Sequence, residues 1–242
     1  MKRIVVMALS VVLALVVAMP MALGQAGQGA KASGKASELA AAWTQWAFSK
    51  PVNEDSPLIG GDPHYRKARC DGTPLSHTPG NTWFLAGTFD QSKVVRTCTM
   101  PVGTKLFFPV VNWVAFPFFD GETAKSVRKE QAIAPMNATL KDPTFRMRVT
   151  VDGKKVASDQ IVRAISRPYF SVTLPEKNVF DPFVNPNPPG VPAGKYKGWS
   201  TDGLWVTLHP LPPGEHTIHF KASARKVGVS QDNTYILTVG RR

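Results

Sequence analysis

With 242 residues, 43% of them hydrophobic, the chain is long enough for one sandwich or barrel with a substantial core. It carries 29 Lys and Arg against 17 Asp and Glu, a formal net charge of +12, but the basic residues are scattered with no run of five or more, so the charge is a diffuse field rather than a basic tail. No stretch beyond the amino terminus can span a bilayer, since the most apolar one, Leu106 to Phe119, is interrupted by Pro109 and Pro117 and has Asn112 at its middle.

At the amino terminus, Lys2 and Arg3 precede an uncharged apolar run from Ile4 to Met19, and small residues surround Ala22, Gly24 and Ala26. That layout predicts a secretory signal peptide over residues 1–24, with cleavage after Gly24 or Ala26, and places the protein in a secreted or periplasmic location. No cysteine lies near the junction, which excludes a lipoprotein. Loss of Lys2 and Arg3 leaves a charge of about +10, enough to draw the protein toward anionic envelope polymers, acidic polysaccharides or lipid headgroups. In an oxidising compartment the lone pair Cys70 and Cys98 is expected to form one disulfide. It would close a loop of just under 30 residues, contribute about 3–4 kcal/mol, and remove both sulfurs as nucleophiles.

Residues 25–36, mostly Gly, Ala, Ser and Lys, read as a flexible lead-in, and residues 37–240 as one domain. Ser37 is placed to cap a helix in which Leu39, Trp43, Trp46 and Ala47 recur at helical spacing, ending at Pro51. Pro51 to Asn81 lacks periodicity. Strands are expected at Thr82 to Thr88, Lys93 to Met100 and Lys105 to Val111, then a helix over Glu122 to Ala134 bounded by Pro135. Phe145 to Val151 alternates, and Asp152-Gly153 suits a tight hairpin into Lys155 and Val156. Ile161 to Ile165 and Tyr169 to Leu174 continue the pattern before a proline-rich loop, Glu176 to Lys197. Leu204, Val206 and Leu208, then Ile218 and Phe220 beyond the turn Pro210 to Gly214, predict a final hairpin, and Tyr235, Leu237 and Val239 close the chain. Many short strands with little helix predict a mainly β chain, an antiparallel β-sandwich of jelly-roll-like or immunoglobulin-like type, with a short amino-terminal helix and one further helix.

Two blocks carry a resemblance. One runs Trp83-Phe-Leu-Ala-Gly-Thr88, Arg96-Thr-Cys98-Thr-Met-Pro101-Val-Gly103 and Leu106-Phe-Phe-Pro-Val-Val-Asn112. The other runs Asp202-Gly-Leu-Trp-Val-Thr-Leu-His-Pro-Leu-Pro-Pro-Gly214-Glu-His-Thr-Ile-His-Phe220 and ends in Thr234-Tyr-Ile-Leu-Thr-Val239. Together they resemble a family of exported bacterial proteins without an assigned activity. The resemblance spans Leu39 to Val239; it implies secretion and one β-rich domain, and it carries over no catalytic residue.

Successive strand side chains face opposite ways, so Trp205, Thr207, His209, Thr217, His219 and Lys221 are expected on the face opposite the core. With Trp199 and Tyr196 in the approach loop, Trp205, His209, His219 and Lys221 form a candidate platform for stacking a sugar ring; the competing expectation is that the amino-terminal helix covers this face. His216 and His219 are three apart on a strand and cannot chelate one ion. His209 and His219 lack a third ligand, and Asp181, Asn185, Asn187 and Asp202 match no calcium loop, so no metal or other cofactor is expected. Glu54, Asp55, Asp62, Asp181, Asp202 and Glu215 are carboxylates without a fixed pairing, and no nucleophile elbow, zinc helix or phosphate loop is present. Arg146, Arg148, Arg163 and Arg167 can line one side of a sheet, but export and the lack of a recognised module argue against nucleic acid. The reading is an exported, non-catalytic envelope or extracellular binding protein with a glycan or anionic polymer as ligand. A secreted polysaccharide hydrolase and a structural or protein-interaction domain are the alternatives.

Overall fold

The computed structural model describes residues 24–52, 56–60, 81–117, 130–166, 170–181 and 191–240. Helix α1 (Gly24–Phe48) precedes strands β1 (Thr82–Phe84), β2 (Val94–Pro101) and β3 (Lys105–Ala115). Helix α2 (Glu130–Lys141) leads into β4 (Arg146–Val151), β5 (Lys154–Lys155), β6 (Ile161–Ile165) and β7 (Phe170–Leu174). Strands β8 (Gly194–Leu208), β9 (Gly214–Ala224) and β10 (Val229–Gly240) complete the chain. One five-stranded sheet runs β1-β3-β8-β6, with β7 also on β8, and the second runs β2-β10-β9-β4-β5. The mainly β, two-sheet expectation holds. It departs from an antiparallel sandwich at two edges, because β1 lies parallel to β3 and β2 parallel to β10.

Alternation in the strands builds the core between the sheets. Leu106, Phe108, Val206 and Leu208 from the first sheet meet Ile218, Phe220, Tyr235 and Leu237 from the second, all buried. The rings of Phe108 and Phe220 lie 4.8 Å apart across this layer. The first sheet is buried on its other face as well. There α1 lays Leu39, Trp43 and Trp46 against Phe84, Phe107 and Trp205, and the Trp43 Nε1–H donates to the Leu85 carbonyl at 2.8 Å. The result is three layers: helix, fully buried sheet, and a second sheet whose outer face meets solvent.

Several expectations are corrected. The lead-in over 25–36 is helical rather than flexible, and Ser37 sits inside α1 instead of capping it. Ala26, Ala30, Ala32 and Ala36 are good helix formers, and extending a helix already nucleated by buried tryptophans costs little. Pro135 lies within α2 instead of ending it. Burial of Ala132 and Met136, with the Thr139 hydroxyl donating to the Pro135 carbonyl at 2.9 Å, outweighs the lost backbone bond. The residues 122–129 of the expected helix lie outside the described residues. Part of the expected loop over 176–197 is strand, since β8 begins at Gly194 and pairs with β7.

The largest correction concerns the final hairpin. β8 and β9 belong to different sheets, β8 pairing with β3, β6 and β7, and β9 with β10 and β4. Residues 209–213 therefore cross between the sheets. The Asp152-Gly153 turn is as expected: φ values of 50° and 76° put both residues in the left-handed region, as a two-residue hairpin of the primed type requires.

Trp205 is fully buried, stacked on Phe107 at 5.1 Å and edge-on to Trp43 at 5.5 Å. Trp205→Ala is expected to cost about 3–5 kcal/mol in urea unfolding, as for large core truncations, whereas Lys221→Ala should change stability by no more than about 0.5 kcal/mol.

Candidate functional site

The six residues of the sequence-derived platform do not converge. Trp205 sits under α1, and its Nε1–H donates to the Ala164 carbonyl at 3.0 Å. Trp199 is fully buried among rings, 5.1 Å from Phe48 and 5.2 Å from Phe116. The Tyr196 hydroxyl donates to the Pro192 carbonyl at 2.8 Å, and His209 is exposed just past the end of β8. Only His219 and Lys221 share a face, the outer face of the second sheet. A sugar platform on Trp205 and Trp199 is thus ruled out by burial. Alternation assigned each side chain to the correct face of its own strand, but not the strand to its sheet.

Among the described residues nothing covers the outer face of the second sheet, and its register places cations side by side. Arg148 pairs directly with Lys221, which pairs with Asp232 on β10. One step along, Arg146 lies opposite Ser223, and Ser223 opposite Ser230. These residues and Met147 line a shallow groove of about 350 Å³. The Arg146 guanidinium is held by the carbonyls of Pro143 and Phe145 at 3.0 and 2.7 Å. Like charges directly opposite on neighbouring strands repel, and among the described residues no carboxylate lies between Arg148 and Lys221.

Asp232 is the anion beside Lys221 on this face. It receives His219 Nε2 at 2.8 Å and Lys93 Nζ at 3.6 Å. Burial pushes its carboxyl upward, but the His219 bond and the charges of Lys93, His219 and Lys221 together hold it below the usual aspartate value. It is therefore ionised at neutral pH and shared among His219, Lys93 and Lys221, while Arg146 and Arg148 have no carboxylate partner among the described residues.

The other named carboxylates have structural roles or lie apart. Asp202 is fully buried and forms a two-pronged ion pair with Arg163, at 3.0 and 2.5 Å; the guanidinium also donates to Asn137 of α2 at 2.8 Å. Arg163 thus belongs to the first sheet and not to the basic face. Asp181 and Glu215 are exposed, while Glu54, Asp55, Asp62, Asn185, Asn187 and Arg167 lie outside the described residues. Among the described residues no group of three or more His, Cys, Asp or Glu side chains is placed to hold a metal ion, and no helix is long and apolar enough to cross a membrane. Cys98 is buried on β2 and is not a free thiol; Cys70, its expected partner, lies outside the described residues.

No family model matches the chain, and no curated protein matches it. Among solved structures, the cysteine protease inhibitor EhICP2 from Entamoeba histolytica aligns over 66% of this chain and 96% of its own, with 11% identity and a TM-score of 0.24. Amebosin aligns over 66% and 98%, at 10% identity and a TM-score of 0.22. A family 123 glycoside hydrolase from Clostridium perfringens aligns over 67% of this chain and 23% of its own, at 10% identity and a TM-score of 0.24. Likenesses this loose carry no argument about activity.

Beside the basic face, His216 clasps two turns. Its Nδ1 lies 2.8 Å from Asp152 Oδ2 and its Nε2 lies 3.0 Å from the Pro212 carbonyl. Both partners are acceptors, so both ring nitrogens must carry protons. The Asp152 bond raises the His216 pKa above 6.5, against the opposing effect of burial. Burial pushes the Asp152 carboxyl up, but the bonds from His216 and the Thr217 N–H outweigh it and hold the pKa below 3.8. The sign follows from linkage. The histidine's contribution is complete below pH 6.5 and is lost as pH rises through its folded-state value; the aspartate's is complete above pH 3.8 and is lost as pH falls through its own. Melting temperature should therefore decline as pH rises above 6.5, and His216→Ala should flatten that limb of the profile.

Proposed function

We propose that this protein is an exported, non-catalytic binding module of the cell envelope, and that the open face of its second sheet holds an acidic polysaccharide. The observation that carries this reading is the direct pairing of Arg148 with Lys221 on that face, next to Arg146. An anionic group bridging the two side chains would replace repulsion with two charge-assisted hydrogen bonds. Ser223 and Ser230 supply neutral hydroxyls in the same groove, which suit the alternating hydroxyl and carboxylate chemistry of an acidic glycan. The net charge, about +10 once Lys2 and Arg3 are lost with the signal, adds long-range attraction toward such a polymer. The signal-like amino terminus and the resemblance to exported bacterial proteins support the location. The engagement of Asp202 by Arg163 weighs against the hydrolase alternative for that carboxylate.

Calorimetric titration with polygalacturonate, with dextran as the neutral control, tests the reading. Binding of polygalacturonate should weaken steeply as salt is raised, and dextran should not bind. Arg148→Glu with Lys221→Glu should reduce affinity by about tenfold or more, a tenfold change corresponding to about 1.4 kcal/mol. Unchanged affinity in the folded double variant, or equal binding of dextran, would overturn it. Tighter binding of duplex DNA than of the polysaccharide at equal charge would also overturn it.

A further inference from the structure

A second site lies along the open edge of β3, with Gln231 on the border between it and the basic groove. β1 ends at Phe84, opposite Phe107. From Pro109 onward β3 has β8 on one side and, among the described residues, no strand on the other. A bulge between Pro109 and Val111 shifts the register, as bulges do where a side chain is re-aimed. The space left beside this edge is a cleft of about 330 Å³, within the range of small-molecule sites. Phe89, Trp113 and Phe116 give it apolar surface, and Gln91, Asn112 and Gln231 give it amides. No titratable side chain among the described residues lines it.

The amides are held in defined orientations. Gln91 Oε1 accepts the Ser230 N–H at 2.6 Å, so the other end of that amide is the NH₂. Thr201 donates its only hydroxyl proton to the Trp113 carbonyl at 2.9 Å, so its oxygen must accept from Asn112 Nδ2, at 3.3 Å. That assigns the remaining atom of Asn112 as its carbonyl oxygen. The Trp113 ring is fixed too, by its Nε1–H donating to Thr139 Oγ1 at 2.9 Å. Gln231 is anchored at both ends, donating to the Thr88 carbonyl and accepting from Asn233. Among the described residues one amide donor, Gln91 Nε2, and one amide acceptor, Asn112 Oδ1, are left without a protein partner.

We infer that this cleft is a binding site for an uncharged acetamido sugar. The pair of groups complements a secondary amide: the acetamido carbonyl accepts from Gln91 Nε2, and the acetamido N–H donates to Asn112 Oδ1. Its methyl group and the apolar face of the ring lie on Phe89 and Phe116, which pack on the α1 side of the first sheet, as carbohydrate C–H surfaces do on aromatic rings. Two amides fixed by their other ends lose little freedom on binding. This inference goes beyond the anion-binding reading: its two hydrogen-bonding groups, on Gln91 and Asn112, are not in the basic groove, although Gln231 borders both.

The experiment is calorimetric titration with N,N′-diacetylchitobiose, with cellobiose as the analogue in which hydroxyls replace both acetamido groups. Chitobiose should bind about tenfold tighter than cellobiose, because the analogue leaves both amide groups unpaired. Gln91→Glu keeps an oxygen for the Ser230 N–H but loses the donor, and should weaken chitobiose about tenfold with the circular dichroism spectrum unchanged. The Arg148→Glu, Lys221→Glu variant should bind chitobiose as the parent does, which separates failure of this site from failure of the basic face. Equal affinity for the two disaccharides, no binding of chitobiose at millimolar concentration, or a folded Gln91→Glu protein within twofold of the parent would each overturn the assignment.

Discussion

A buried guanidinium holds the two sheets in register at one edge. Arg96 points inward from β2 and is 2% exposed. One of its nitrogens donates to the Ala86 carbonyl at 2.8 Å and to the Tyr235 hydroxyl at 2.5 Å, and the group lies 5.5 Å from the centre of the Tyr235 ring. That hydroxyl in turn donates to the Ala86 carbonyl and accepts the Ala86 N–H. No carboxylate among the described residues shares the charge. A lysine could not replace it, because a compact, strongly hydrated ammonium lacks the planar fork that serves oxygens from β10 and from the chain beyond β1 together. The segment so pinned, Ala86 to Gln91, forms a wall of the amide-lined cleft, so the geometry of that cleft rests on the Arg96 network.

The layering then decides which surfaces are left for ligands. α1 spends its tryptophans on the outer face of the first sheet, which is why that sheet is apolar on both sides. Among the described residues no helix covers the second sheet, and most of its outward positions are polar or charged, Arg146, Arg148, His219, Lys221, Ser223 and Ser230 among them, with Val95 an exposed exception. Charge and exposure thus coincide on one surface. The cleft opens where a three-residue β1 is too short to cover an eleven-residue β3. The first site suits anions, and the second suits neutral groups.

Period-two alternation made most strands legible, because a half-buried strand writes its burial into every second residue. Leu204, Val206 and Leu208 do face the other sheet, and Asp152-Gly153 does turn as its residue types require. Alternation is silent about partners, however. Ile218 and Phe220 show the same pattern whether β9 pairs with β8 or lies across the core from it, and only the path of residues 209–213 distinguishes the two. That ambiguity misplaced the candidate platform. Arg146 and Arg148 were visible as outward residues, but their bearing on function appears only when β4 is laid beside Lys221. Gln91 and Asn112 gave no signal, since a lone amide in a loop or strand has no periodicity to betray it.

At the far side of the open sheet, β5 is two exposed lysines long. An edge that short and that positive offers another strand almost nothing to pair with and repels a second copy of itself. Two copies approaching along this edge would meet lysine against lysine, and the sheet of one would not run on into the other.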